Sequence, residues 1–393
     1  MLYEIIMKRW NNQILYVLAA LLLCTSCKLS EDATSEFKYV ASVDVIEDTV
    51  QFQDIVESYR LIPLQTTGNN RIGEVSDLIV KDSLMYVVSD GVFCFDKAGT
   101  FKFAISQKGH AQNEFVKVSS VNVTDDNIYL YDVMQGKVLV FDNKNGEFRR
   151  SIKIPHTVAS LFCDEDEIEA DRHALECTAV PNDERFFTFS TEQPENVSQA
   201  YLADAEDKTA INGQTTMYDN GFFFSNFWKC QTWKINAKEC VPYFQLLFSQ
   251  NLALSENELQ TLIESRALSN EQLSQSEKAW GLLNVHETDN MITGRFQVGS
   301  ALATFVYNKE NDKCVAYKSV RCEGSWQPIP IDFMASYKKN AYGVVSSDDI
   351  AMIKSFTGLP TISKQEVNQD NPYDIYCSVE ENDNPVVVEF VLK

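Results

Sequence analysis

The feature that most constrains this chain is a repeated group of four short apolar segments separated by turns. The first group occupies 74–81, 84–89, 91–96 and 100–106, and the second occupies 120–124, 127–132, 137–142 and 147–154. Phe95 and Phe141 stand at matching positions 46 residues apart, and each is followed by an aspartate and a turn. Apolar residues alternate within the segments, which predicts strands. Four-stranded repeats of roughly this period are typical of β-propeller blades, because no single blade covers its own apolar faces.

Four more diverged units follow, so the sequence predicts an all-β fold, a six-bladed β-propeller of four-stranded antiparallel blades. They occupy 159–211, 215–248, 282–321 and 330–393. Seven blades is the alternative count. A helical insert is expected at 255–280, because Ser255 and Glu258 form a capping box and 269–272 offers a second cap. This insert either covers the mouth of the central channel or shapes a binding site there.

The ring has to close, and the last apolar run, 385–392, is the segment available to close it. Its local partner would be the run at 373–379. Pairing with a segment from the other terminus would also remove exposed sheet edges, which are the usual hazard of an open sheet.

The amino terminus has the pattern of an export signal. Lys8 and Arg9 precede an apolar stretch at 14–23, which is too short to span a bilayer of roughly 30 Å. Ser26 then precedes Cys27, as a lipoprotein signal peptidase requires. We therefore expect a signal peptide at 1–26, a lipid on Cys27, a flexible tether at 27–36 and the propeller at 37–393. A signal peptide cut elsewhere is the alternative.

Composition argues against some partners. A formal net charge of −22 repels phosphate backbones, so no nucleic-acid binding is expected. The acidic run at 164–171 lacks the glycine and the spacing of a calcium loop, and we expect a solvated loop there. No cofactor is expected, with calcium in the channel as the alternative.

The cysteines give no sign of redox or zinc chemistry. Eight remain after Cys24 and Cys27, and none forms a CxxC pair. Several lie inside apolar strand runs, where a reduced cysteine packs as a small hydrophobic residue. A disulfide between Cys314 and Cys322 is conceivable, but extended chain separates these thiols too far unless the strand turns back.

Three stretches of the sequence carry a family resemblance. The runs at 62–67 and 72–75, with 95–99 beyond them, resemble the six-bladed β-propeller lipoproteins of anaerobic Gram-negative gut bacteria. The resemblance implies a fold related to the NHL and TolB-like propellers, and it implies little about activity. Where the family has Lys-Gly-x-Gly-Pro-Gly-Glu-Tyr, this chain has Lys-Gly-His-Ala-Gln-Asn-Glu-Phe at 108–115, so it lacks the Gly-Pro-Gly centre. The resemblance and the acidic residues after Cys27 place the protein in the outer membrane, facing the periplasm or the cell surface.

Motifs for catalysis are sparse. The four histidines are widely spaced, and His286-Glu287 falls in a predicted strand without a second histidine. The best local candidate for ligand binding is the set Lys108, His110 and Glu114, on a loop between blades, although ordinary solvated charges explain it as well. We expect no catalytic residues and no metal ligands.

The leading functional hypothesis is therefore an envelope lipoprotein that binds or scaffolds a glycan, peptide or protein partner. The alternatives are a hydrolase or lyase with a channel-bound metal, and a seven-bladed protein-interaction propeller.

Overall fold

The computed structural model describes residues 37–393 except 69, 156–157, 159, 165–166, 172–183, 204–212, 219–220, 237, 266–274, 322–331 and 369–370. Tyr39–Lys393 form one compact unit. Cys27 and the predicted signal peptide and tether lie outside the described residues, as do His156, His173 and Cys322.

The strands form six separate sheets. Sheets one and two are β4 (Asp77–Lys81), β5 (Leu84–Val88), β6 (Val92–Asp96) and β7 (Phe101–Ile105), then β8 (Ser120–Val123), β9 (Asn127–Asp132), β10 (Lys137–Asp142) and β11 (Phe148–Lys153). Sheet three is β12 (Ser160–Asp164), β13 (Glu167–Asp171), β14 (Glu184–Ser190) and β15 (Val197–Ala203). Sheet four has β16 (Gly213–Tyr218), β17 (Gly221–Asn226), β18 (Gln231–Asn236), β19 (Glu239–Phe248) and, at its outer edge, β1 (Tyr39–Val43).

Sheets five and six also recruit amino-terminal strands. Sheet five is β20 (Ala279–Glu287), β21 (Met291–Val298), β22 (Ala301–Asn308), β23 (Lys313–Arg321) and β2 (Glu47–Gln51). Sheet six is β24 (Ala335–Tyr337), β25 (Asn340–Val345), β26 (Val386–Leu392) and β3 (Val56–Pro63). The helices are α1 (Phe52–Ile55), α2 (Glu256–Ser265), α3 (Ser347–Thr357) and α4 (Pro372–Ser378).

The recurring phrase after the third strand of a sheet builds a side-chain-capped turn. The Asp96 carboxylate accepts hydrogen bonds from the amides of Ala98 and Thr100, at 2.9 and 3.0 Å. Asn308 likewise accepts from Glu310 and Asn311. Short Asx side chains stabilise such turns because they satisfy backbone amides that have no ladder partner.

In sheets one and two, this turn also makes a side-chain hydrogen bond to the neighbouring sheet. In sheet two, the turn residue Asn143 accepts a hydrogen bond from the hydroxyl of Tyr86 in sheet one. In sheet one, the turn residue Lys97 donates to the hydroxyl of Tyr342 in sheet six, at 3.3 Å. The repeated sequence phrase therefore encodes the contact between neighbouring sheets as well as the turn itself.

Apolar clusters fill the interfaces between consecutive sheets. Sheets one and two share the cluster around Tyr86 and Leu130, and sheets four and five share the one around Phe244 and Phe305. Sheet six meets sheet one through Tyr342 and Phe95, so the last sheet in the sequence packs on the first. The core is thus a ring of inter-sheet layers, and most of its aromatic residues are fully buried.

The ring closes through residues from both ends of the chain. Strand β26 lies between β25 and β3, with Val388 opposite Gly343 on one side and Leu61 on the other. The predicted pairing with the other terminus is therefore confirmed. The proposed local partner, 373–379, is wrong, because this segment forms α4, with Pro372 at its first turn and Asn371 as the cap.

Two further expectations need correction. Most of the acidic run is not a loop, because Ser160–Asp164 pairs in antiparallel register with Glu167–Asp171; residues 165–166 lie outside the described residues. The sequence also left the segment before β3 unassigned, yet β1 and β2 pair in parallel with β19 and β23. Parallel outer strands have no local turn signal, because the partner lies about two hundred residues or more away in sequence.

The helical insert begins as predicted. The Ser255 hydroxyl accepts from the amide of Glu258, and the Glu258 carboxylate accepts from the amide of Ser255, which starts α2. Its second predicted cap lies outside the described residues. All six described cysteines are free thiols, which leaves Cys314 without a disulfide partner in the described part of the chain.

Candidate functional site

In an antiparallel sheet, the connections between strands lie alternately at the two opposite ends of the sheet. The turn between the second and third strands lies at the same end of a sheet as the link to the next sheet. We call this end the linker face. It carries the link that contains Lys108, His110 and Glu114, and it also carries the connection between β25 and β26.

Of the three residues predicted as a ligand site, Lys108 and Glu114 take separate partners in the structure. The Lys108 ammonium pairs with Asp90 at 3.1 Å, and both side chains are more than half exposed. The Glu114 carboxylate accepts from the amide of Ala111 at 3.0 Å, within its own loop. His110 is exposed. The arrangement stabilises the loop and does not gather the three groups around one point, and their ligand-binding role stays a prediction.

A cavity, which we call the acid-lined cavity, also lies on the linker face. It has a volume of about 550 Å³ and separates the link 64–76 from the connection 346–385. Its polar and charged lining residues are Arg71, Glu74, Ser346, Ser347, Asp348, Asp349, Glu381, Asn382, Asp383 and Asn384. Five of these are acids and one is a cation, and no aromatic side chain is among the described lining residues.

A buried amide network holds the two walls of this cavity in place. The side chain of Asn384 accepts from the amide of Ile72 at 2.9 Å and donates to the carbonyl oxygens of Gln65 and Asn70 at 3.0 Å. Asn70 is fully buried and donates to Gln65 at 2.8 Å. Buried amides with satisfied hydrogen bonds make a rigid wall, because each broken bond would leave a desolvated polar group.

Some of the acids have structural roles and others face the cavity unpaired. Ser346 caps α3 by accepting from the amide of Asp349 at 3.0 Å, and Asp349 in the first turn offsets the helix dipole. Asp383 pairs with Lys364 at 2.5 Å. By contrast, the carboxylates of Glu74 and Glu381 make no ion pair or side-chain hydrogen bond with the residues that the structure describes.

Asp77 was not anticipated as a functional residue. It begins β4 directly after the link that lines the cavity, and it accepts one hydrogen bond, from the amide of Leu78 at 2.8 Å. Burial raises the pKa of Asp77 to about 7. Its sequence signal is an aspartate at the start of an apolar strand.

His286 and Glu287 are structural residues. His286 is buried, and burial lowers its pKa to about 4, so it stays neutral at physiological pH. Glu287 accepts from the Lys309 ammonium at 2.8 Å and from the hydroxyl of Tyr243, and Lys234 lies 3.3 Å away. Among the described residues, no group of three His, Cys, Asp or Glu side chains is arranged to hold a metal ion. Within the same residues, no helix is long and apolar enough to cross a membrane.

Small antiparallel sheets packed face to face around a ring, with few helices, define an all-β propeller. The chain belongs to the family described as a domain of unknown function, DUF4934, whose model matches residues 40–390.

Two solved structures are similar to this chain. A protein of Bacteroides fragilis that was assigned as exported aligns with a TM-score of 0.68 at 16% identity, over 90% of this chain and 99% of the other. A member of the DUF4221 family from Bacteroides vulgatus aligns with a TM-score of 0.48 at 10% identity, over 86% and 97%. The search of curated proteins finds no match. At such low identity, the first of these likenesses supports the fold alone.

Proposed function

We propose that this protein is an envelope lipoprotein whose propeller binds a basic peptide segment of a partner protein in the acid-lined cavity. The observation that carries this proposal is the cavity itself, which is rigid, acid-lined and about 550 Å³ in volume. That volume is in the range of small-molecule and side-chain binding pockets. The excess of carboxylates favours a cationic group of the ligand, such as a lysine or arginine side chain.

A glycan is the competing ligand. Sugar rings commonly stack on aromatic side chains, and the described lining of the cavity offers none. Glu74 and Glu381 instead present carboxylates without a protein partner among the described residues, and a ligand cation would pair with them. The linker face therefore favours a peptide over a neutral saccharide.

The test uses tetralysine, its Nε-acetylated form and cellotetraose, measured by calorimetry on the full chain in detergent. Tetralysine is expected to bind saturably, and acetylation should abolish that binding. The double variant Glu74→Gln/Glu381→Gln should weaken it about two- to thirtyfold, because each lost ion pair with an exposed carboxylate contributes about 0.2–1 kcal/mol. The control variant Asp54→Asn/Glu57→Gln removes two exposed acids elsewhere. Equal weakening in both variants, or binding of cellotetraose alone, would refute the proposal.

The proposal includes a lipid on Cys27, an outer-membrane location and a propeller of six blades related to the NHL and TolB-like type. The signal-like sequence supports export, and the Bacteroides fragilis protein of similar fold was likewise assigned as exported. Six sheets, each packed on two neighbours, support the blade count. Mass spectrometry should find acyl chains on the peptide that begins at Cys27, and Cys27→Ser should release the protein from membranes. An unmodified cysteine in the processed protein would contradict the anchor.

A further inference from the structure

A second cavity has the opposite charge. It has a volume of about 700 Å³ and lies between β3 of sheet six and the turn 97–100 of sheet one. Arg60, Lys97 and Lys364 line it, and Asp383 is the single acid among its described lining residues. We call it the basic cleft. Three cations in one cavity are notable in a chain with 34 basic and 56 acidic residues.

Lys97 has no carboxylate partner among the described residues. Its ammonium donates to the hydroxyl of Tyr342 at 3.3 Å and lies 5.0 Å from the ring centre of Tyr337 and 5.7 Å from that of Tyr342. An ammonium has three protons to donate, and the tyrosine hydroxyl accepts one of them. Burial lowers the pKa of Lys97, and the nearby Glu389 carboxylate offsets this only in part, so a bound anion would raise the pKa further.

A hydrogen-bonded chain outside the cleft orients two of the cations. Both Nε and one terminal nitrogen of Arg60 donate to a single oxygen of Glu389, at 3.1 and 2.8 Å. The other oxygen of Glu389 accepts from Tyr342 at 2.7 Å and from Asn340 at 2.8 Å. Because the Tyr342 hydroxyl donates to Glu389, its lone pair is available to Lys97. Glu389 is thereby saturated with four hydrogen bonds, and it does not line the cleft.

The third cation is also held in place. Lys364 pairs with Asp383 at 2.5 Å, and Asp383 accepts as well from the hydroxyl of Thr66 and the amide of Glu380. The uncharged polar residues of the described lining are Gln65, Thr66, Thr100, Ser378 and Asn384. Preorganised cations lose little conformational freedom when an anion binds, which favours affinity.

We propose that the basic cleft binds the oxyanion group of a small ligand, a carboxylate, sulfate or phosphate, with Lys97 as the principal contact and Arg60 and Lys364 flanking it. The volume accommodates a ligand of about the size of a mono- or disaccharide. Asp383 and Asn384 line both this cleft and the acid-lined cavity, but the three cations do not line that cavity, so each proposal can fail without the other.

The test measures binding of inorganic phosphate, inorganic sulfate and glucuronate by calorimetry on the full chain in detergent, with glucose as the neutral counterpart of glucuronate. At least one anion should bind saturably, and glucose should not bind. A protein with a net charge of −22 repels anions overall, so saturable binding reports a local site. The strongest of the three anions identifies the oxyanion that the site prefers.

Lys97→Met should weaken anion binding about tenfold or more, and Lys97→Arg should restore most of it. The matched control is Lys318→Met, which removes one cation that pairs with the exposed Asp48 on the edge of sheet five. If Lys97→Met shifts the melting temperature, Arg60→Gln provides a second variant at the rim of the cleft. Absence of saturable binding of all three anions, or equal weakening by Lys97→Met and Lys318→Met, would overturn the inference.

Discussion

Replacing Gly99 by alanine tests how the turns hold neighbouring sheets together. Gly99 has φ +82°, and a Cβ atom there would lie 2.2 Å from the carbonyl oxygen of Pro63 in β3. The left-handed conformation costs an alanine about 1–2 kcal/mol. Displacing a packed backbone carbonyl costs about 1–3 kcal/mol more. The lower entropy of the unfolded alanine chain offsets about 0.4–1 kcal/mol, so we expect a net loss of about 3 kcal/mol in unfolding free energy.

Two other glycines separate these contributions. Gly358 has φ +69°, and a Cβ atom added there would meet no other atom within 4 Å. Gly358→Ala therefore carries the conformational cost alone and should lose about 1 kcal/mol or less. Gly68 has open space and no positive φ, so Gly68→Ala should be neutral or slightly stabilising.

The assay is urea denaturation of the three variants and the parent, followed by tryptophan fluorescence, with the midpoints compared at equal slope. The expected order of destabilisation is Gly99→Ala, then Gly358→Ala, then Gly68→Ala. If Gly99→Ala is no more destabilising than Gly358→Ala, the turn of sheet one does not press on β3, and the account of sheet-to-sheet locking is wrong.

Three further predictions follow from buried polar groups. Asn384→Ala should lower the unfolding free energy by about 2–4 kcal/mol, measured by urea denaturation, because it leaves buried carbonyl and amide groups unpaired; a loss below 1 kcal/mol would contradict the network. Burial lowers the pKa of His286 to about 4. Between about pH 6.5 and pH 4, His286 is therefore protonated in the unfolded chain and neutral in the folded protein, so stability should fall as pH drops through this range. His286→Phe should flatten that part of the pH–stability curve, and an unchanged slope would exclude His286 as its source. The pH dependence of stability expected from Asp77 is the opposite of that from His286, because its raised pKa makes stability fall as pH rises from about 4 to 7. Asp77→Asn should therefore stabilise the protein at pH 8. A destabilised variant would show that the carboxylate has a partner.

Much of the local structure could be read from residue patterns. The four strands of sheets one and two match the predicted segments within a few residues, because alternation of apolar residues and Asx turns act over short distances. The capping box at Ser255 likewise marked the start of α2.

The acid-lined cavity and the basic cleft could not be predicted from such local patterns. Each joins segments roughly three hundred positions apart, as in the contact between Arg60 and Glu389 across β3 and β26. Strand periodicity tells which face of a strand is buried, but it does not name the partner strand. Asn384 could not be identified for the same reason, because the residues next to it in the sequence do not indicate that its side chain accepts a hydrogen bond from Ile72 in the link after β3.

The amino-acid sequence by itself determined the strands, their turns and the repeat that makes radial packing necessary, because these depend on interactions between residues close in the chain. Only the tertiary structure decided which distant strands pair, where β1 and β2 add to sheets four and five, and which charges meet in the two cavities. Closing the ring brings β3 and the link after it next to β26 and the connection before it, and the charged groups on these segments acquire their environment through that closure.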